Sequence, residues 1–459
     1  MAHVTHVAII GGGPGGYEAA LVARRSGADV TLIDRDGLGG STVLTDCVPS
    51  KTLIATSDLL TEVGTSAELG VEIPSTPRAD LASVNARVLR LAQAQSRDIE
   101  DRLRSAGVEI VKGTGRIDAP GTVVAATDEG ERVVAADSIL LATGAHPRVS
   151  PDAQPDGERI LTWEQVYGLD EIPEHLIVVG SGVTGAEFAS AYNGLGAQVT
   201  LVSSRDRVLP GEDPDAANLI ENVFTRRGMT VMGNSRMASV NRDGERVVVT
   251  LTDGRTVEGS HCLLALGSIP NTADLGLDAV GVETDDGGFI AVDKVSRTSV
   301  PGIYAAGDCT GVLMLASVAA QQGRIAMAHL LGDAVNPLSR LKVSSNIFTS
   351  PEIATVGLSQ RQIEERGLVV DATILPLASN PRAKMQGVHD GFVKLFARQG
   401  IGTLVGGVVV GPRASELIHP VSVAVSAQLT ADHIAEAFTV YPSMSGSVAE
   451  AARRLHRLV

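Results

Sequence analysis

The stretch Val4 to Gly16 reads VTHVAIIGGGPGG, and Leu176 to Gly185 reads LIVVGSGVTG. Each is an apolar, β-branched run that enters a glycine cluster. In the first, Gly11, Gly13 and Gly16 stand at G-x-G-x-x-G spacing, followed by a helical stretch, Tyr17 to Ser26, and a second strand, Asp29 to Ile33, ending at Asp34. This pattern predicts a βαβ unit that binds a dinucleotide. Gly11 allows the tight turn, Gly13 lets the backbone approach a pyrophosphate, and Gly16 lets helix and strand pack closely. The helix N-terminus then faces the phosphates. Asp34 stands where a carboxylate accepts hydrogen bonds from ribose hydroxyls.

Working outward, the second stretch repeats the first at a fixed offset. Gly11, Gly13 and Gly16 recur 169 residues on as Gly180, Gly182 and Gly185, and Glu18 recurs as Glu187. Gly27-Ala28 recurs as Gly196-Ala197, and Val30-Thr31-Leu32 as Val199-Thr200-Leu201. One glycine motif is weak evidence; two in register, each between a strand and a helix, imply two dinucleotides in one protein. A flavin dinucleotide and a nicotinamide dinucleotide are the natural pair for redox chemistry.

The whole chain limits the alternatives. Its 459 residues suit about three domains at the usual ~150 residues each. A net charge of −15 disfavours nucleic acid and anionic membrane as partners. No apolar run reaches the ~18 residues that a membrane span needs. The opening MAHVTHVAII has no basic region of the kind a signal peptide carries and leads straight into the glycine motif. Three cysteines, Cys47, Cys262 and Cys309, fit a reducing cytoplasm.

The remaining segments fall in a definite order. Ala79 to Ala106 has helical spacing, Val108 to Asp137 alternates in short β-like runs, and Pro147 to Pro155 has the composition of a linker. SILLATG, Ser138 to Gly144, is a strand ending in a glycine turn, and CLLALGSIPNT, Cys262 to Thr272, is a similar element after the second repeat. GIYAAGD spans Gly302 to Asp308, and a helix is expected to begin at Leu315. From about Leu341 the pattern changes; NIFTSPEIATVG spans Asn346 to Gly357, Gly391 to Val410 is strand-rich, and helical runs follow.

Between the first repeat and a helical run, Thr52 to Gly64, lies GGSTVLTDCVPSK, Gly39 to Lys51. With the two fingerprints and the segments above, it resembles the pyridine nucleotide-disulfide oxidoreductases, the flavoenzymes that include dihydrolipoamide dehydrogenase and glutathione reductase. The resemblance implies an α/β fold: two Rossmann-like domains plus a C-terminal α+β dimerisation domain. The expected boundaries are 1–150 and 271–340 for the two parts of an FAD domain, 151–270 for an NAD(P) domain, and 341–459 for dimerisation. It also implies that Thr143 and Gly144 lie beside the flavin pyrophosphate, with Gly267 in the matching element of the second repeat. Asp308 would bind the ribityl chain, and the helix starting near Ala316 would point its N-terminus at the flavin ring. Lys51 and Glu187 match the pair that meets next to flavin N5.

Two departures from the family matter. Its segment carries two cysteines with four residues between them; here the second is Cys47 and the first is Thr42. A hydroxyl cannot form a disulfide, so the dithiol relay cannot run. Cys47 is then either a thiol acting near the flavin or a small buried remnant. The family's C-terminal His-Pro-x-x-x-Glu is Tyr441-Pro442-Ser443-Met444-Ser445-Gly446, which removes the general base for substrate thiols. Tyr441 is a candidate proton donor, or a packing tyrosine. At the end of the second strand, Ser203 takes the place of Asp34, so no carboxylate repels a 2′-phosphate, and Arg205 and Arg207 stand close by. Those arginines pair with that phosphate, or else are solvated or bind the pyrophosphate. The expected coenzyme is NADPH, with NADH tolerated. The combined pattern resembles lipoamide dehydrogenase-like NAD(P)H quinone reductases of actinobacteria, implying a homodimer that passes hydride through FAD to a small quinone. Alternatives are a soluble pyridine nucleotide transhydrogenase and a flavin-bound structural or regulatory protein.

Overall fold

The computed structural model describes residues 4–75 and 77–455. Met1, Ala2 and His3 of the N-terminal run and the last four positions of the expected dimerisation domain lie outside the described residues. The chain divides into two compact bodies. One comprises Met1–Ser50, Asn85–Arg148 and Gly267–Ser339; the other comprises Lys51–Val84, Val149–Leu266 and Arg340–Val459.

The first body is built on a parallel five-stranded sheet. Its order is Ile303–Ala305, Ser138–Leu141, His6–Ile10, Asp29–Asp34, Glu109–Lys112. A parallel sheet is covered on both faces, so its strands read as continuous apolar runs. That explains the unbroken VAII: Val7 and Ile9 join one buried cluster with Leu32, Leu140 and Met327, while Ala8 and Ile10 join another with Ile33, Ile139 and Leu141. The run Val108 to Asp137 supplies Glu109–Lys112 to this sheet and then an antiparallel meander, Thr114–Ala119, Thr122–Thr127 and Gly130–Ala135.

The second body contains the second parallel sheet, ordered Thr230–Met232, Gln198–Val202, His175–Val179, His261–Leu264, Ile160–Thr162. Its central register repeats the first: His6 faces Asp29, and His175 faces Gln198. The same body holds an antiparallel sheet, ordered Ser344–Ile347, Glu352–Gly357, Leu404–Gly411, Phe392–Arg398, Val370–Pro376. The helices His419–Ala427 and Gly446–Leu455 bury Val421, Ala424, Val448 and Ala452 in its core.

The helix Cys47–Gly64 begins before the expected Thr52. Pro49 lies in its first turn, where a missing N–H leaves no helical hydrogen bond unmade. Among the described residues no helix is long and apolar enough to cross a membrane.

Candidate functional site

In the first body, the strand His6–Ile10 delivers the chain to Gly11, whose φ is +104°, and the helix Pro14–Arg25 follows. A Cβ on Gly16 would collide with the carbonyl oxygen of Gly11, so helix and turn touch only because that residue is glycine. A Cβ on Gly13 would meet nothing within 4 Å, which leaves this backbone open to a ligand. The helix has no side-chain N-cap and no acidic residue in its first turn, so its N–H groups suit phosphate. Asp34 accepts hydrogen bonds from the N–H groups of Gly12 (2.7 Å), Asp36 (3.0 Å) and Gly37 (2.6 Å). Burial pushes its carboxyl up while those three donors hold it down.

At the same end of that sheet, Thr143 donates its hydroxyl to the Asn271 carbonyl (2.7 Å), and Asn271 Nδ2 donates to the Thr143 carbonyl (2.9 Å). The turn at Gly144 has φ +70°, and its carbonyl accepts from Asn271 N at 3.0 Å. Burial and the neighbouring Asp46 carboxylate push the Asp308 carboxyl up to about 6, and no hydrogen-bond donor among the described residues offsets them. A buried carboxyl that wants donors fits the hydroxyl-rich ribityl chain of a flavin. Ala316 is the first residue of the helix Ala316–Leu330, which Leu315 enters in extended form. Gln322 of that helix, almost fully buried, accepts from Gly307 N at 2.9 Å and steadies the turn before Asp308.

In the second body, Gly180 (φ +113°), Gly182 and Gly185 repeat this geometry ahead of the helix Val183–Leu195. Again no side chain caps the helix, and a Cβ on Gly182 would meet nothing within 4 Å. Lys51 and Glu187, separated by 136 positions, meet as an ion pair at 2.8 Å. The Glu187 side chain is 4% exposed and that of Lys51 28%. The other Glu187 oxygen accepts from Phe348 N (2.8 Å), and Lys51 Nζ lies 5.1 Å from the Phe348 ring centroid. Ser203 is fully buried, its hydroxyl 2.7 Å from that of Ser181. Arg205 is exposed, and Arg207 pairs with Asp206 at 3.1 Å.

The remaining expected residues are Gly267, Tyr441 and Cys47. Gly267 (φ +87°) belongs to the first body, where its carbonyl accepts from Arg148 N at 2.8 Å. Tyr441 is 82% exposed, beside exposed Phe438 and Val440. Gly446 opens the last described helix, and its N–H donates to Ser443 Oγ. Cys47, Cys262 and Cys309 form no disulfide among the described residues; Cys47 is half-buried at the start of its helix. Burial pushes the Cys262 thiol up, and the Cys309 thiol to about 11.

Sequence reading missed Ser181, Asn271, Gln322 and Phe348. Phe348 acts through its backbone N–H, which leaves no trace in residue type. Ser181 did leave a signal: it is the repeat counterpart of Gly12, as Ser203 is of Asp34.

Comparison with known proteins gives a consistent result. Residues 5–323 match the family model described as pyridine nucleotide-disulphide oxidoreductase, and residues 343–452 match the dimerisation domain of that family. A Mycobacterium tuberculosis protein named NAD(P)H dehydrogenase (quinone) is 53% identical, covering 98% of this chain and 94% of that protein. A dihydrolipoyl dehydrogenase of Chlamydia pneumoniae is 33% identical, covering 97% of this chain and 95% of that protein. The crystal structure of LpdA from Mycobacterium tuberculosis superposes with a TM-score of 0.95 at 52% identity, covering 99% of this chain and 100% of that one.

Proposed function

The chain belongs to the pyridine nucleotide-disulphide oxidoreductase family, as a flavoprotein oxidoreductase, and we propose that it passes reducing equivalents from NADPH to a small quinone without a redox-active disulfide. The observation that carries this reading is the thiol inventory. Thr42 stands where the family's first redox cysteine would be, Cys47 is in no disulfide among the described residues, and the other two thiols are buried. No dithiol within the chain can accept the electrons, so the acceptor is external. A quinone is planar and takes two electrons, and the name of the 53%-identical mycobacterial relative supports that class.

Bound FAD supplies acceptance of a hydride from the reduced coenzyme and onward delivery of both electrons. The chain does the rest. Gly11, Gly13 and Gly16 hold the flavin pyrophosphate against the helix N-terminus, flanked by Thr143 and Gly144. Asp34 takes the ribose hydroxyls and Asp308 the ribityl chain. The N-terminus at Ala316 favours negative charge. Glu187 fixes the Lys51 ammonium, a fixed positive charge for the reacting ring edge. Gly180, Gly182 and Gly185 hold NADPH, and Arg205 pairs with its 2′-phosphate. The domains follow 1–150 with 271–340 for FAD, 151–270 for NADPH and 341–459 for a homodimer, in which the exposed Tyr441 serves as proton donor to the acceptor. The test is NADPH oxidation with menadione against NADPH with an NAD analogue. Turnover with the quinone and none above background with the analogue is expected. Faster reduction of the analogue overturns the reading in favour of transhydrogenation, and no turnover with either overturns it in favour of a non-catalytic flavoprotein.

A further inference from the structure

We infer that Ser181, the residue inside the second glycine motif, is a positioning residue for coenzyme choice, acting through the buried hydroxyl of Ser203. The inference rests on the reading of the Gly180 motif as the NADPH site.

The argument starts from the two strand ends. Asp34 faces three backbone N–H groups, which a carboxylate can accept. Ser203 faces a different loop. Its hydroxyl lies 3.1 Å from the Arg205 carbonyl, 3.2 Å from the Arg207 carbonyl and 2.7 Å from Ser181 Oγ, and it accepts from Arg205 N at 3.1 Å. Ser181 Oγ is itself 3.5 Å from the Arg207 carbonyl. The Arg205 carbonyl also accepts from Asn234 N, so it is the inward-turned Arg207 carbonyl that needs a donor from this pair of hydroxyls, which also bond each other. A carboxylate carries no proton to donate and would repel both carbonyls. This form of the loop therefore depends on a hydroxyl at 203 and a second at 181.

The loop is fixed at its far end as well. Leu209 N donates to the Ser181 carbonyl at 2.9 Å, and Asn234 N donates to the Arg205 carbonyl at 2.7 Å. Leu209 and Asn234 both adopt φ +51°; asparagine takes this left-handed conformation readily, but leucine rarely does unless held there. With its carbonyls turned in, the loop turns the Arg205 side chain out to solvent. The charge of Arg207 is partly engaged by Asp206. Arg205 is thus the cation presented to a 2′-phosphate, and Ser181 is what keeps it presented.

The test uses flavin-loaded full-length protein and calorimetric titration with 2′,5′-ADP and 5′-AMP, which differ only by the 2′-phosphate. Wild type is expected to bind 2′,5′-ADP more tightly. Ser181→Ala should cut that preference by about five- to tenfold, the effect of losing one fixed hydrogen bond and a held charge, with 5′-AMP affinity within about twofold. Arg205→Ala should fall at least as far, and Arg207→Ala less. An unchanged preference in Ser181→Ala overturns the inference, as does an equal loss for both ligands, which marks a merely structural role. A wild type without preference for 2′,5′-ADP overturns the NADPH reading itself, and this inference with it.

Discussion

Gly11 N donates to the Ile33 carbonyl at 2.8 Å, and 169 residues on Gly180 N donates to the Val202 carbonyl at 2.9 Å. Ala142 N and Ala265 N close onto the Ile10 and Val179 carbonyls, both at 2.8 Å. Even a side-chain pair recurs: His6 Nε2 lies 3.0 Å from Thr31 Oγ1, and His175 Nε2 lies 2.9 Å from Thr200 Oγ1. The two halves part elsewhere, as at Gly12, which becomes Ser181. Glu18 meets Arg324 at 2.9 Å and Arg102 at 3.9 Å, whereas Glu187 is buried against Lys51 and Phe348 N. Asp34 becomes Ser203. What the backbone geometry demands is kept, and what only the ligand demands has changed. The glycine turn is scaffold; the helix residue two past the motif and the strand end carry the difference in function.

The largest effect should come where the halves agree. At both Gly16 and Gly185 an added Cβ meets the carbonyl oxygen of the turn's first glycine. Gly16→Ala and Gly185→Ala should each cost at least about 3 kcal/mol locally, because backbone cannot yield as a side chain can. If the halves serve different ligands, the outcomes separate. Gly16→Ala should purify with its flavin depleted, while Gly185→Ala keeps flavin and loses NADPH binding. Flavin absorbance and coenzyme titration check this, and flavin loss in both variants alike would erase the assigned division of labour.

The next effect comes where the halves differ. Glu187→Ala removes the buried carboxylate that accepts from both the Lys51 ammonium and the Phe348 N–H, a loss of about 3 kcal/mol. Glu18→Ala breaks a pair whose arginines, at 40% and 65% side-chain exposure, remain solvated, which should cost no more than about 1 kcal/mol. Urea midpoints of the two variants, measured with flavin bound, decide it. Equal losses would mean that the buried setting of Glu187 adds nothing.

Much of this was legible in the sequence because glycine spacing and alternating apolar runs are backbone constraints, and a backbone constraint is written in residue type. The meeting of Lys51 with Glu187 came from the family pattern; nothing in 136 positions of separation announces it. Ser203 shows the opposite limit. Its identity was plain, and so was the missing carboxylate, but not that its hydroxyl is turned into the protein. That depends on the carbonyls of Arg205 and Arg207, and carbonyl direction is the same for every residue type. Phe348 and Gln322 were invisible for a related reason: one acts through backbone, the other through a buried amide in an otherwise ordinary helix.

The smallest predicted effect concerns the helix Cys47–Gly64, which brings Lys51 to Glu187. Two turns beyond Lys51 it carries Asp58. Burial, then the carboxylates of Glu352 and Glu62, push the Asp58 carboxyl from its ordinary 3.8 up to about 6, against the pull of Arg227. A carboxyl raised on folding binds its proton more tightly in the folded chain than in the unfolded one. Ionised Asp58 therefore costs stability above pH about 6, and the cost fades as pH falls from about 6 towards 3.8. Asp58→Asn removes the charge at every pH. It should raise stability at pH 8 by about 1 kcal/mol, after allowance for solvent around a half-buried group, and change little near pH 4. The measurement is the urea midpoint of wild type and variant across that range. Lys51–Glu187 and Asp58 share one helix, so the variant separates a charge held by a partner from one held against its neighbours. A gain that stays constant from pH 4 to pH 8 would show that the Asp58 charge is not its source, and a loss at pH 8 would show that Asp58 is held by a partner as Lys51 is.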